Sequence, residues 1–64
     1  MTNEVIKIMK NMEEQFEQAA IDAVKFSEGN NSAGTRVRKA MQNIKNLAQL
    51  VRLEVQEQKN SVLA

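Results

Sequence analysis

The sequence predicts an all-α protein in which two long amphipathic helices form an antiparallel helical hairpin, a single domain over residues 1–64. Apolar residues recur at helical spacing in both halves of the chain. No proline occurs, and a short segment, GNNS at residues 29–32, separates the two periodic halves. A short connection between long helices favours antiparallel neighbours.

The first helix is predicted over about residues 3–28. Thr2 or Asn3 is a suitable N-cap, because a short polar side chain can accept a hydrogen bond from the first turn. Gly29 follows the last periodic residue, where a left-handed C-terminal cap favours glycine. The predicted apolar stripe consists of Val5, Met9, Met12, Phe16, Ala19, Ala23 and Phe26.

The second helix is predicted over about residues 33–59, with the turn at 29–32. Asn31, Ser32 or Thr35 could cap its start, and Ser32 is the preferred N-cap. Residues 60–64 are expected to fray or to dock weakly. The apolar stripe of the second helix follows steps of four and three residues and consists of Val37, Met41, Ile44, Ala48, Val51 and Val55. Ala40 and Leu47 lie beside this stripe.

Self-association is expected, because a chain of 64 residues without cysteine rarely builds a sufficient core alone. Two hairpins stacked as a dimeric four-helix bundle, or a higher oligomer such as a tetramer, would cover the apolar residues that one hairpin leaves outside. The residues predicted to line this interface are Ile6, Ile21, Leu50 and Leu53.

The charges are distributed unevenly along the chain. Residues 1–31 carry a net charge of −3, and residues 32–64 carry +4. Three cations, Arg36, Arg38 and Lys39, follow the turn, where a helix dipole disfavours positive charge. A phosphate would resolve this conflict, with Gly34 allowing close approach and Thr35 donating from its hydroxyl. The alternative is that these cations pair with acidic residues of the first helix.

A second basic pattern runs along the predicted second helix. Arg38, Lys45, Arg52 and Lys59 recur every seven residues, which aligns them over about 31 Å. This length suits contact with a DNA backbone, although a solvated flank beside a helical seam shows the same pattern. The predicted DNA-binding residues are therefore Gly34, Thr35, Arg36, Arg38, Lys39, Lys45, Arg52 and Lys59.

Several function classes are disfavoured. The chain lacks His, Cys and Tyr, so general bases, nucleophiles and soft metal ligands are scarce, and neither an enzyme nor a metal or cofactor site is expected. No apolar run approaches the roughly 20 residues that span a membrane. No secretory signal is visible, so a cytoplasmic location is expected.

The segment from Gly29 to Lys59 resembles the conserved part of the chlamydial-type bacterial histone-like proteins. The matching features are a GN turn, a small residue and an RVR-type basic pair, at Gly29, Asn30, Ala33, Arg36, Val37 and Arg38. The resemblance implies a DNA-binding protein of the bacterial nucleoid that contributes to chromosome compaction. The chain is similar to the short form without a Lys/Ala-rich tail, so DNA binding is expected to depend on the helical domain itself.

The sequence therefore predicts sequence-tolerant binding of double-stranded DNA through phosphate contacts, by a homo-oligomer with no small-molecule substrate. The alternative is a small helical adaptor that binds another protein. Basic residues on an exposed face would favour nucleic acid, whereas basic residues packed against acidic residues would favour the adaptor.

Overall fold

The computed structural model describes residues 3–63, with side chains through residue 60, and contains two α-helices. Helix α1 spans Glu4–Ser27 and helix α2 spans Asn31–Leu63. They pack antiparallel as a hairpin 54 Å long, 19 Å wide and 11 Å thick. The predicted all-α hairpin is confirmed. Helix α2 begins two residues earlier than predicted and continues into the segment expected to fray.

The chain reverses direction in three residues, Glu28, Gly29 and Asn30. The backbone N–H groups of Gly29 and Asn30 donate to the carbonyl oxygens of Phe26 and Lys25, both at 3.0 Å. These two bonds form a Schellman cap, which needs a left-handed residue at its centre. Gly29 has φ +104°, so it fills the position predicted for it.

Side-chain caps begin both helices. Asn3 Oδ1 accepts a hydrogen bond of 2.8 Å from the Val5 N–H. Asn3, one of the two predicted N-caps of α1, therefore caps this helix. Thr2, the other candidate, lies outside the described residues. In α2 the cap is Asn30 rather than Ser32, because Asn30 Oδ1 accepts from the Ala33 N–H at 3.1 Å. Ser32 is therefore already helical.

The contact between the helices, here called the seam, follows heptad spacing. Its residues are the buried or half-buried ones that recur at steps of three and four: Val5, Ile8, Met12, Gln15, Ala19 and Asp22 on α1, and Ala33, Val37, Ala40, Ile44, Leu47, Val51, Glu54 and Gln58 on α2. Only Ala19, Asp22 and Ala33 are fully buried among the described residues. The core is thus thin and lies near the turn.

The predicted stripes are rotated relative to this seam. Met9, Phe16 and Phe26 were expected to pack inside the hairpin but are exposed. In α1, Gln15 and Asp22 occupy the seam positions beside Phe16 and Ala23. In α2, Ala40 and Leu47 occupy it, whereas Met41 and Val55 are exposed. The apolar stripe in the sequence is therefore centred between the seam and one outer face of the hairpin.

Candidate nucleic-acid interface

Four basic side chains form an exposed line along α2, here called the basic stripe: Arg38, Lys45, Arg52 and Lys59. Within the described part of the chain, none of the four makes a salt bridge. The line from Arg38 to Lys59 extends about 31 Å at 1.5 Å per residue. An unpaired row of cations of this length can contact successive phosphates along a duplex backbone.

Arg36 lies on the opposite side of α2 from Arg38, because two residues turn a helix by about 200°. Its Nε–H donates to Oδ1 of Asp22 at 3.0 Å, and Asp22 is only 3% exposed. The Arg36 side chain itself remains 49% exposed. The sequence alternative, pairing with an acidic residue of α1, is the arrangement found for Arg36.

A polar groove of about 500 Å³ surrounds this ion pair. Its polar and charged lining, here called the polar face, comprises Asn11, Glu14, Gln15, Gln18, Asp22, Arg36, Lys39 and Asn43. Asn43 Nδ2 donates to Gln15 Oε1 at 3.4 Å across the seam. Lys39 therefore accompanies Arg36 rather than Arg38, and the three clustered cations do not form one site.

Gly34 and Thr35 lie near Arg38 at the turn end. They line one small groove with Phe26 and Val37. A Cβ atom at Gly34 would stand 2.5 Å from Cδ1 of Phe26, so close packing of this ring accounts for the glycine. Thr35 is exposed beside Arg38, where its hydroxyl can donate to an oxygen near the guanidinium.

The position of the cations relative to the start of α2 differs from the expectation. Since α2 begins at Asn31, Arg36 lies in the second turn and Arg38 and Lys39 in the third. The dipole effect falls off within the first turn. The prediction that these cations conflict with the helix dipole was therefore wrong. Arg38 and Lys39 are nevertheless exposed and accessible to an anion.

The sequence patterns missed the seam positions of Gln15 and Asp22 and the role of Asn43 as the partner of Gln15. Ile8, Gln15 and Asp22 are spaced seven residues apart, which is the signal that could have placed them on one side of α1. A hydrophobic pattern contains no polar residues, so it cannot assign them to the stripe. In the structure, cross-seam partners compensate their burial.

The described residues contain no cluster of three His, Cys, Asp or Glu that could hold a metal ion. Neither α1 nor α2, as far as the structure describes them, carries an apolar segment long enough to cross a bilayer.

Comparison with known proteins gives one family. A family model described as histone H1-like protein Hc1 matches residues 6–61, which covers both helices and the turn. No curated protein and no solved structure matches the chain. The family is non-enzymatic, and membership implies a DNA-binding protein of the nucleoid. The chain, with its helical hairpin and exposed basic stripe, belongs to the histone H1-like Hc1 family.

Proposed function

We propose that this chain binds double-stranded DNA with little sequence preference, through phosphate contacts made chiefly by the basic stripe on α2. In this way it contributes to nucleoid organisation and chromosome compaction. The observation that carries the proposal is the row of four exposed cations, Arg38, Lys45, Arg52 and Lys59, on one helix of a histone-like chain. Backbone contacts position a protein on DNA without reading its sequence.

The length of the stripe supports contact with a duplex. Its extent of about 31 Å is close to one turn of B-DNA, about 34 Å. Thr35 lies beside Arg38 and extends the donor set toward the turn, with Gly34 next to it. The chain has no Trp or Tyr and only two Phe, so base stacking on aromatic side chains adds little.

Arg36 and Lys39 are a secondary group in this proposal, because they lie on the polar face, away from the stripe. Arg36 uses Nε to hold Asp22, and its half-exposed guanidinium keeps other N–H groups for a phosphate. These two residues can assist when DNA wraps around the hairpin, or when a second duplex approaches.

The adaptor alternative depends on basic residues that are packed against acidic residues. Arg36 has such a partner, but the four stripe residues are exposed without a described salt bridge. This distribution favours nucleic acid over an adaptor. We also propose that the chain self-associates into a dimer or tetramer, because repetition of a stripe on a chain of net charge +1 strengthens a weak contact.

The experiment is a salt titration of binding to a labelled duplex, measured by fluorescence anisotropy. Each phosphate neutralised contributes about −0.9 to the slope of log affinity against log salt concentration. Replacing both Arg52 and Lys59 by Gln should weaken binding to all duplex sequences and reduce the slope by about 1.8 per chain.

The matched control replaces Lys7 and Lys25 by Gln, which removes the same charge from exposed positions on α1. This variant should retain the slope of the unmodified chain. An unchanged affinity and slope in a folded Arg52→Gln/Lys59→Gln variant would reject the stripe as the DNA contact. Stronger loss in the α1 control would move the contact to the other helix.

A further inference from the structure

One ion pair among the described residues joins the two helices beside the turn. Arg36 on α2 donates from Nε to Oδ1 of Asp22 on α1 at 3.0 Å. Asp22 is 3% exposed, whereas the Arg36 side chain is 49% exposed. The carboxylate therefore lies inside the seam, and the guanidinium keeps one side toward solvent.

The contact at Nε leaves most of the guanidinium free for another acceptor. An arginine has five N–H donors in one plane, and the Nε–H is the one nearest to the stem of the side chain. The two Nη groups carry the other four donors. A carboxylate that holds Nε fixes the plane of the group, and with it the direction of the Nη groups. A guanidinium oriented in this way can bind an oxyanion through both Nη groups.

Packing does not explain why a carboxylate occupies this position. The other seam residues of α1 carry no charge. Burying an ion pair has a desolvation cost, and an apolar pair of similar volume is often as stable or more stable. A carboxylate also weakens the attraction between phosphates and a chain whose net charge is only +1. Asp22 is unfavourable on both counts, and the orientation of Arg36 is what the contact provides in return.

The surroundings of Arg36 suit an anion. Lys39 lines the same polar groove and makes no salt bridge within the part of the chain that the structure describes. Residues three apart on a helix are neighbours, so its ammonium group can reach the ligand of the guanidinium. Gln18 and Asn43 line the groove on α1 and α2 and add amide N–H donors. The groove encloses about 500 Å³, within the range of about 300–1,000 Å³ that is typical of small-ligand sites.

One further carboxylate in the groove opposes an anion, but it lies away from the guanidinium. Glu14 lines the groove on α1, eight residues before Asp22, which is about 12 Å along the helix. Charges separated by more than about 8 Å are largely screened at physiological salt. The Asp22 carboxylate is closer, but Arg36 neutralises it. The charge of Lys39 therefore dominates beside the Nη groups.

We propose that the polar groove is a second phosphate-binding site of the chain, separate from the basic stripe. Arg36 binds a phosphate of the DNA backbone through its Nη groups, Lys39 supplies the second cation, and Asp22 is the positioning residue that orients Arg36. This inference rests on the proposed function for the identity of the ligand as DNA, whereas the orientation of Arg36 does not depend on it.

The groove and the stripe bind different phosphates, because they lie on opposite sides of α2. Two residues turn a helix by about 200°, so the phosphate at Arg36 is not one that Arg38 contacts. Distant sites without shared partners have additive effects on free energy. Loss of the groove and loss of the stripe should therefore multiply in their effects on DNA affinity.

The site is tested first without DNA, by titration with inorganic phosphate at constant ionic strength. The chain has three arginines, Arg36, Arg38 and Arg52, so nuclear magnetic resonance of isotope-labelled protein can resolve their Nε–H signals. The Arg36 signal should shift and saturate, whereas the Arg38 signal should not saturate. The saturable shift should disappear in Asp22→Ala and persist in Glu14→Ala. Equal responses of Arg36 and Arg38 would overturn the proposal.

Affinity for a labelled duplex gives a second test, whose sign separates charge from positioning. Asp22→Ala and Glu14→Ala each remove one negative charge from the same groove, and charge alone would strengthen DNA binding in both. We expect Glu14→Ala to bind at least as tightly as the unmodified chain. Asp22→Ala should bind about fivefold more weakly, because it loses a well-oriented charge-assisted contact. Equal affinity of the two variants would reject a positioning role for Asp22.

Two conservative variants decide the question if Asp22→Ala fails to fold. Asp22→Asn removes the charge but keeps an oxygen that can accept from Arg36 Nε, so it should bind at least as tightly as the unmodified chain. Arg36→Lys keeps the charge but lacks the planar group, so it should bind about fivefold more weakly. Weakened binding by Asp22→Asn, or full binding by Arg36→Lys, would contradict the proposal.

The two measurements separate this site from the proposed function. A saturable phosphate response at Arg36 without affinity for duplex DNA would reject the proposed function and DNA as the ligand, and would leave the oriented phosphate site in place. Duplex binding that depends on Arg52 and Lys59, without a saturable response at Arg36, would reject the site and leave the proposed function in place.

Discussion

The two ends of the hairpin are built differently. At the turn end, Ala19, Asp22 and Ala33 are fully buried and Phe26 covers Gly34. At the open end, Val5, Ile8 and Val51 are only half-buried in the seam, and Asn3 and Gln58 exchange exposed hydrogen bonds of 3.3 Å. Small residues are fully buried between the helices at one end, whereas half-buried apolar residues and an exposed amide pair join them at the other.

This difference shows where the hairpin has its own stability. Burial of apolar area is the main favourable term in folding, and in the described residues complete burial occurs only near the turn. The open end depends on half-buried apolar side chains and on solvent-exposed hydrogen bonds, whose net contribution is small. Substitutions should therefore become less costly with distance from the turn, provided that protein concentration is held constant.

The largest effect is expected from Ala33→Leu. Ala33 is 0% exposed, so extra methylene groups would have no free space and would force the two helices apart there. Overpacking of this kind costs about 1–3 kcal/mol. Thermal unfolding followed by circular dichroism should show a clear loss of stability. The control is Gln49→Leu, which introduces the same side chain at an exposed position on α2 and should leave the transition within a few degrees of the original.

A smaller loss is expected from Arg36→Ala. It leaves the buried Asp22 carboxylate without its partner at 3.0 Å, and such a group costs free energy when unpaired. Because the guanidinium is half-exposed, water compensates in part, and we expect about 1–2 kcal/mol.

Arg38→Ala is the matched control for this ion pair. Arg38 makes no described salt bridge, so its loss should hardly change unfolding but should weaken DNA binding. A conflict with the helix dipole, as expected from the sequence, would make the loss of either arginine stabilising, whereas the ion pair makes the loss of Arg36 destabilising. Equal stability of the two single variants in chemical unfolding would contradict a structural role for Arg36.

Gly34→Ala should have a smaller net effect, because two terms oppose each other. Alanine favours a helix over glycine by about 1 kcal/mol, but its Cβ would displace the Phe26 ring from 2.5 Å. We expect the unfolding free energy to change by less than about 1 kcal/mol. In the double variant with Phe26→Ala, the clash is absent and the helix gain should appear in full. No coupling between the two substitutions would show that the ring moves freely.

The smallest effect is expected at the open end, from Gln58→Ala. It removes the two exposed hydrogen bonds to Asn3, which should cost only a few tenths of a kcal/mol. Hydrogen exchange should nevertheless increase in the first turn of α1. A loss as large as that of Ala33→Leu would mean that the two ends contribute equally.

The sequence identified the features that local backbone chemistry determines. The left-handed position of Gly29 and the cap at Asn3 follow from a few neighbouring atoms, and both predictions are confirmed. The start of α2 was misplaced because Asn30, Asn31 and Ser32 can all act as caps. The Schellman cap favours Asn30, because the Asn30 N–H closes this cap and its side chain can cap the helix that follows directly.

The orientation of the helices was less predictable. Apolar spacing cannot tell which side of a helix packs within its own chain and which side faces a different partner. Met9 and Phe16 therefore entered the predicted seam, whereas Gln15 and Asp22 occupy it. Their burial depends on Asn43 and Arg36, which lie 28 and 14 residues away in sequence. The roles of the predicted interface residues Ile21, Leu50 and Leu53 stay predictions, and all three are exposed.

The three-residue turn has a consequence for the order in which the molecule assembles. Three side-chain pairs join α1 to α2 and enclose progressively longer loops of the chain: Asp22–Arg36, Gln15–Asn43 and Asn3–Gln58. Because closing a longer loop costs more entropy, we expect the pair nearest the turn to form first and each later pair to extend the two helices outward. The two helices then reach their antiparallel register by successive contacts that begin beside Gly29. The conformational entropy of the open end is lost last.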